Sequence, residues 1–526
     1  MKKLPIGKSD FESIISENFI YIDKTEYIYN LINEAGFYFL SRPRRFGKSL
    51  LISALENLFK ANKELFKGLF VYDKIDWKNY PVIKISFLTI CYDTPELLKE
   101  SLLKFINKTA EYHKVKIDSI HYKDAFIELI QNLSQKEKVV ILVDEYDKPL
   151  IDYLENIEQC NQNREILKSF YAAIKGCEEY IKFVFITGVS KFSQTSIFSD
   201  LNNLDDITLK YKYNGICGYK KKDIEKYFKE YLDEFSEKKN KPIKDMLDEI
   251  KHWYDGYSWN GSEFLYNPFS VLNLFSNQIF KNYWFKSGTP TFLLKLIRNN
   301  NYNLSDIAKL TVADDIFDKY NIEKISVIAL LFQTGYLTIK NVEETSGGVL
   351  YTLDFPNYEV KKSLMEHLIS EYCGETNGAK STLLYKLKQN LMNKEFDEFI
   401  DSLKSLFAGL VYETHINRED YYSSLMYMVF SLCGIDGGFE LLTNKGRIDC
   451  VVEFRNLIYI IEFKVDINAE AAIRQIYEKK YYEKYLNKNK EIYLFGLSFD
   501  TKDKNILDTK IEKFYIEKRV AFFSTF

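Results

Sequence analysis

Two stretches of this chain hold reactive side chains at spacings that suit phosphate chemistry. The first is FYFLSRPRRFGKSLLISAL, Phe37–Leu55, which runs from an apolar strand through a basic turn into a helical pattern. Gly47, Lys48 and Ser49 fall at the helix start, where free backbone N–H groups and the helix dipole attract phosphate. In such a loop Lys48 reaches the β- and γ-phosphates of a nucleotide and the Ser49 hydroxyl joins a Mg²⁺ shell. Arg44, Arg45, Phe46 and Leu50 complete the expected nucleotide contacts. Arg42 stands where the first loop glycine usually falls, so its side chain must point away from the nucleotide. Further on, VVILVDEYDKPL (Val139–Leu150) is a buried strand ending in an acidic pair. Asp144 is expected at Mg²⁺, and Glu145 is expected to activate the attacking water. The strand KFVFITGVSKF then delivers Thr187, Ser190 and Lys191 to the γ-phosphate end.

The second stretch is NKGRIDCVVEFRNLIYIIEFKVD, Asn444–Asp466. Glu462 and Lys464 are two apart on one strand and share a face, and a hairpin brings Asp449 beside them. Two carboxylates and the Phe463 carbonyl make a hard oxygen site suited to Mg²⁺ or Mn²⁺. Lys464 is placed to orient and help deprotonate a water that attacks a phosphodiester. The bland alternative is a Glu–Lys pair on a solvated face. Beside Tyr459–Ile461 and Phe463, though, such charges are costly without a metal or partners. Arg447, Lys479, Lys480 and Tyr481 offer phosphate and stacking contacts nearby.

The elements that must position these groups follow an order. Over the first two hundred or so residues short apolar runs alternate with longer amphipathic ones, the pattern of a mostly parallel sheet covered by helices. Strands are expected at Gly36–Leu40, Pro81–Phe87, Lys138–Val143 and Lys182–Thr187, and helices at Ser49–Phe59, Pro95–Tyr112 and Asn163–Tyr180. Helices follow at Lys221–Phe235 and Lys241–Trp253, then the turn-rich aromatic segment Trp253–Pro268. Helix, hairpin and helix over Ile325–Ile369 fit either a winged-helix module or an ordinary α+β linker. Lys380–Phe407 reads as one helix. The last unit reads helix (Arg418–Leu432), three strands to Val465, helix (Ala469–Leu486) and strand (Glu491–Leu497). The resulting division is 1–210 for the domain of the phosphate loop, 211–290 for a helical lid, 291–400 for the linker and 401–526 for an α/β domain that holds the carboxylate–lysine hairpin.

Composition sets the outer limits. A chain of 526 residues with 46% hydrophobic and 28% charged residues is globular and multidomain. Its 72 basic and 75 acidic residues nearly cancel, so any nucleic-acid contact is a local patch. No apolar run reaches bilayer length, and no apolar segment follows the amino-terminal lysines, so the expectation is a soluble, cytoplasmic protein without a membrane partner. The 7 cysteines include no Cys-x-x-Cys, which argues against a zinc ribbon or a disulfide framework.

Taken together, SRPRRFGKSLL, LVDEYDKPL, TGVSKFS with SIFSDLNNL, and WYDGYSWN with LYNPFSVLN resemble the AAA-ATPase-like family, which is related to STAND-type P-loop ATPases. The likeness covers about Leu4–Asn273 and implies ATP and Mg²⁺ binding with slow hydrolysis, or a switch with little turnover. Thr187 then matches the polar sensor of AAA-type sites, which often also need an arginine from a neighbouring protomer, raising a homo-oligomer. LVYETHINREDYYSSL, GRIDCVVE, IIEFKVD and AAIRQIYEKKYYEKY resemble the PD-(D/E)XK nuclease superfamily, in the form commonly fused to that ATPase. Asp449, Glu462 and Lys464 match its metal and water-activating positions. The resemblance implies a further acid, Glu440 or Glu419 with Glu440 favoured, and a DNA- or metal-facing Gln475. The RecB-like tyrosine four residues after the glutamine is replaced by Lys479. The expected function is an ATP-dependent or ATP-gated nuclease acting on DNA. The alternative is a regulatory or scaffolding ATPase whose nuclease-like domain binds nucleic acid without cleaving it.

Overall fold

The structure, a computed structural model, describes residues 1–526 apart from 35, 192–196, 199–200, 202, 285–292, 295, 298–306, 308, 318–325, 374–377, 409–418, 436, 444, 455 and 516–526. The chain forms two compact units, Met1–Leu293 with Leu310–Val360, and Leu294–Lys309 with Lys361–Phe526. No described helix is long and apolar enough to cross a membrane.

The first unit is built on a parallel sheet of β1 (Phe37–Ser41), β2 (Val82–Ser86), β3 (Val139–Asp144), β4 (Ile181–Gly188) and β5 (Asp205–Asp206), in the order β2-β3-β4-β1-β5. Every residue of β1 and β3 is buried, which requires cover on both faces and explains their unbroken apolar runs. Helices Pro95–His113, Tyr122–Leu133 and Ile157–Gly176 pack on one another, while Phe11–Ser16 packs on Lys48–Phe59. Ile157–Gly176 starts earlier than its apolar periodicity suggests, because the Asn156 side chain caps it by accepting from the Gln159 N–H. Phe11–Ser16, Thr25–Asn33 and Tyr122–Leu133 were not anticipated; the first two are short enough for tertiary packing to decide them.

A second, three-stranded antiparallel sheet contains β6 (Leu310–Ala313), β7 (Thr338–Thr345) and β8 (Gly348–Asp354), ordered β6-β8-β7, with helix Val327–Thr334 ahead of the hairpin. It docks on the aromatic turn that follows helix Ile243–Tyr254. The Thr338 hydroxyl accepts from the Ser258 N–H at 2.7 Å and donates to the Ser258 carbonyl at 2.9 Å. At Gly256 (φ +116) a Cβ would lie 2.0 Å from the Pro356 carbonyl oxygen, so only glycine allows this approach.

The second unit carries a five-stranded mixed sheet, β13-β12-β11-β10-β9. Its strands are β9 (Gly437–Thr443), β10 (Gly446–Phe454), β11 (Leu457–Val465), β12 (Glu491–Asp500) and β13 (Asn505–Phe514). β11 and β12 run parallel, joined through helix Ala469–Lys479; β13 was not foreseen. Gly496 lets that helix sit on the sheet, since a Cβ there would meet the Ala469 carbonyl oxygen at 2.4 Å. Two expected long helices are each broken by a left-handed lysine. Lys394 (φ 65) separates Gly378–Asn393 from Phe396–Ala408, and Lys480 (φ 51) ends Ala469–Lys479 before a 3₁₀ turn.

Glu359 is one of the most deeply held carboxylates among the described residues of the first unit, at 1% exposure. It accepts from the Ser270 hydroxyl at 2.7 Å and from the N–H groups of Tyr283 and Trp284 at 2.5 and 2.8 Å. Burial outweighs these donors and raises its carboxyl from 4.5 to about 7. Folded Glu359 therefore keeps a proton where the unfolded carboxyl has lost it, so stability falls as pH rises through that window. The expected loss is about 3 kcal/mol across it. Glu359→Gln, whose amide oxygen can still accept from both backbone N–H groups while its NH2 donates to the Ser270 hydroxyl oxygen, should flatten the pH dependence of the first unit's denaturation midpoint.

Candidate functional site

In the first unit the phosphate loop joins the carboxyl end of β1 to helix Lys48–Phe59. Gly47 begins the helix at φ +98, and Arg45 is also left-handed at φ +66. These values turn the chain sharply while leaving the first helical N–H groups unspent. Lys48 is buried, and its Nζ donates to the Arg42 and Pro43 carbonyls at 2.8 and 3.0 Å. Burial lowers its pKa, opposed by the carboxylates of Asp144, Glu145 and Asp147. Ser49 and Leu50 occupy the first helical turn, half-buried.

The loop is braced from behind by aromatic side chains. The Arg42 guanidinium is fully buried, donating to the Ser41 and Thr208 carbonyls at 2.9 Å each and to the Tyr213 carbonyl at 3.2 Å. It lies 3.9 Å over the Trp259 ring, and Arg45 lies 3.8 Å over Phe269. Phe46 packs edge-on against Tyr257 and Trp259, and the Trp284 indole donates to the Arg44 carbonyl at 3.1 Å. This bracing gives the WYDGYSWN segment a physical role that its sequence alone does not disclose.

Facing the loop, β3 ends in Asp144, whose Oδ1 accepts from the Thr187 hydroxyl at 2.9 Å. The strand register brings Thr187 beside Leu40 and β3 beside β4, so three strand ends converge. Glu145 is left-handed at φ +54, an uncommon conformation for a residue with a Cβ. Burial raises its carboxyl above the ordinary value, with Lys48 opposing and Asp144 and Asp147 reinforcing. A carboxyl so raised is better matched to accepting a proton near neutral pH. Lys191 is occupied by Asp206 at 2.7 Å.

Asp147 was overlooked in the sequence. At 1% exposure, its Oδ2 accepts from the Val189 N–H (3.0 Å), the Ser190 N–H (2.6 Å) and the Ser190 hydroxyl (2.7 Å). The Ser41 hydroxyl in turn donates to the Val189 carbonyl at 2.6 Å, linking this turn to the start of the loop. A third acid, three residues after Asp144, was the available signal, but a turn residue gives the same pattern. Asp147→Ala would strand three buried donors at once. The expected cost is about 3 kcal/mol or more, read from chemical denaturation of the full chain.

In the second unit Asp449, Glu462 and Lys464 come together where two strands part. The β10–β11 ladder runs from Phe454–Leu457 to Cys450–Ile461, and the next pair would set Asp449 opposite Glu462. There the Phe463 N–H is taken instead by Asp449 Oδ2 at 2.7 Å, while β11 stays paired with β12 as far as Val465. Glu462 is 1% exposed, and its Oε1 is bonded by the Gln475 amide and lies 3.9 Å from Lys464 Nζ. Lys464 Nζ also donates to the Phe463 carbonyl at 2.8 Å.

Tyr481 reaches the same place because Lys480 turns the chain back. Its hydroxyl donates to the Arg447 carbonyl at 2.8 Å, and Gly446 leaves room for it, a Cβ there lying 3.0 Å away. Burial raises its phenol, reinforced by Glu462 and Asp449 and opposed by a hydrogen bond with Gln475. Glu440 lies on β9 and Glu419 starts helix Glu419–Leu432; their side chains fall outside the described residues. Among the described residues no group of three or more His, Cys, Asp or Glu side chains forms a metal cage. The donor set Asp449, Glu462 and the Phe463 carbonyl is nonetheless all hard oxygen, with an amine alongside, and fits a Mg²⁺-type ion.

Comparison with known proteins bears on both sites. Residues 5–198 match a family described as a predicted AAA-ATPase, and residues 417–509 match the PD-(D/E)XK nuclease superfamily. The chain is also 36% identical over 524 residues to the "Uncharacterized protein in vnfD 5'region" of Azotobacter chroococcum mcd 1, covering 97% of this chain and 99% of that protein. A phosphate loop opposite an acidic strand end in one unit, and a carboxylate–lysine hairpin in the other, thus place the chain in the family of AAA-ATPase-like proteins that carry a carboxy-terminal PD-(D/E)XK nuclease superfamily domain.

Proposed function

We propose that this protein is an ATP-dependent or ATP-gated nuclease that binds ATP with Mg²⁺ in the first unit and hydrolyses DNA phosphodiesters in the second. The observation that carries the nuclease reading is the parted β10–β11 hairpin, which holds Asp449, Glu462 and Lys464 at one point. Strands that separate there leave Asp449 and Glu462 at opposing positions just beyond the last ladder pair, with the Asp449 carboxylate turned to the Phe463 N–H. A divalent ion held by these carboxylates and the Phe463 carbonyl would supply Lewis-acid stabilisation of phosphate charge. Lys464 orients the attacking water, Gln475 fixes the Glu462 carboxylate, and Tyr481 holds the Arg447 backbone beside them.

In the ATPase reading, Lys48, Ser49 and the loop N–H groups of Arg44 to Leu50 hold the phosphates, and Asp144 holds the ion. Glu145 takes the proton of the attacking water, and Thr187 keeps Asp144 oriented. The division into ATPase (1–210), lid (211–290), linker (291–400) and nuclease-like domain (401–526) is part of this proposal, as are a cytoplasmic location and a homo-oligomer. The helix and hairpin of the linker suit a nucleic-acid contact.

Lys48→Ala should abolish ATP binding in equilibrium dialysis. Glu145→Gln should retain binding but slow Mg²⁺-dependent turnover by about 100-fold or more. Asp449→Ala and Lys464→Ala should each remove cleavage of labelled DNA in Mg²⁺ or Mn²⁺, assayed with and without ATP. Cleavage unchanged in both variants ends the nuclease assignment. ATP turnover with no cleavage of any DNA or RNA by the native protein selects the regulatory ATPase instead.

A further inference from the structure

A small enclosed cavity lies against the phosphate loop in the first unit, walled by Arg42, Pro43, Lys191, Trp259, Phe332 and Gln333 among others. Lys48 and the Asp144–Glu145 pair do not line it, so it is separate from the nucleotide site. Its room is on the order of one water molecule. Among the described residues, two buried donors of the side chains that wall it, Arg42 Nε and Gln333 Nε2, have no acceptor. Gln333 is 5% exposed, and its Oε1 is fixed by the Lys191 N–H at 3.2 Å, which holds the amide in place.

The charge balance is as telling as the missing acceptors. Arg42 is wholly buried and spends its terminal nitrogens on neutral carbonyls. Among the described residues no carboxylate lies within ion-pair distance of it, and Asp206, which acts on it from further away, is paired with Lys191. A buried guanidinium without a counter-ion is strongly unfavourable. A cation would be repelled by Arg42, and an organic acid exceeds the space. Water could accept two hydrogen bonds but would leave the charge uncompensated. A halide accepts N–H groups from any direction, carries the required charge, and tolerates the apolar edges offered by Pro43, Trp259 and Phe332.

We propose that this cavity binds a single halide-sized monovalent anion, chloride in the cell, held by Arg42 Nε and Gln333 Nε2. The anion joins helix Val327–Thr334 to the phosphate loop, and through Lys191 to the turn gripped by Asp147. Gly335, just past that helix, already packs so closely on Pro43 that a Cβ would lie 2.7 Å from its ring. The proposal does not depend on ATP hydrolysis or on DNA cleavage.

The full-length protein should show a thermal midpoint that rises with the logarithm of chloride concentration when chloride replaces gluconate at fixed ionic strength and pH. The expected rise is a few degrees, on the order of ~3 °C. Gln333→Met, similar in volume but without a donor, should lose that rise. Crystals grown in bromide should show an anomalous peak within hydrogen-bond distance of Arg42 Nε and Gln333 Nε2. Equal midpoints in the two salts, a chloride response that persists in Gln333→Met, or a cavity without anomalous signal in bromide would each overturn the proposal. If Gln333→Met fails to fold, the bromide map of the native protein decides the matter alone.

Discussion

The first unit is arranged around one buried ammonium group. Lys48 is removed from water at the start of its helix and lies in the field of Asp144, Glu145 and Asp147, at and just beyond the carboxyl end of β3. An isolated charge in that position would be lost to deprotonation or would unfold the loop. The loop carbonyls of Arg42 and Pro43 and the three carboxylates are what make it tolerable, and each of these groups needs support of its own. Asp144 is steadied by Thr187, Asp147 by the Val189–Ser190 turn, and the loop by aromatic rings and the Trp284 indole. The parallel sheet satisfies this demand because strands running the same way deliver their polar ends to one edge.

The second unit solves a related problem with opposite charge. Glu462 is an acid within a strand buried along most of its length, and it is compatible with that place only where amide and amine groups face it. The hairpin meets this by ceasing to pair. Once the ladder stops at Cys450–Ile461, the Asp449 side chain takes over the Phe463 N–H, and β12 keeps β11 straight on its other edge. Polar groups are thus gathered while the Phe463 N–H and carbonyl keep partners in the Asp449 carboxylate and the Lys464 amine.

Much of this was legible in the amino-acid sequence because local signals and tertiary demands agree. The apolar runs before Arg42 and ending at Asp144 could only be buried strands, and the two-residue spacing of Glu462 and Lys464 fixed their shared face. Most of the failures share one cause: information held in a partner far along the chain. Helix Tyr122–Leu133 and strand β13 carry ordinary amphipathic patterns that compete with loop readings until their neighbours are known. Asp147 looks like a turn residue until Val189 and Ser190 arrive, and Trp259 looks like a loop aromatic until Arg42 lies over it. The breaks at Lys394 and Lys480 were missed because lysine is a good helix former, so propensity gave no warning of a left-handed residue.

The turn at Lys480 also bears on how proteins of this kind are compared. A phenol that reaches a carboxylate cluster along one face of a helix must recur at a helical interval from the glutamine. Tyr481 arrives instead by a reversal of the chain, so its distance along the chain from Gln475 is set by where the helix stops. Alignments that demand a fixed interval will score such chains as lacking the aromatic group. Superposition of hydroxyl positions, rather than residue counting, is the appropriate yardstick, and insertions of a residue or two at that corner should be neutral drift rather than loss of the site.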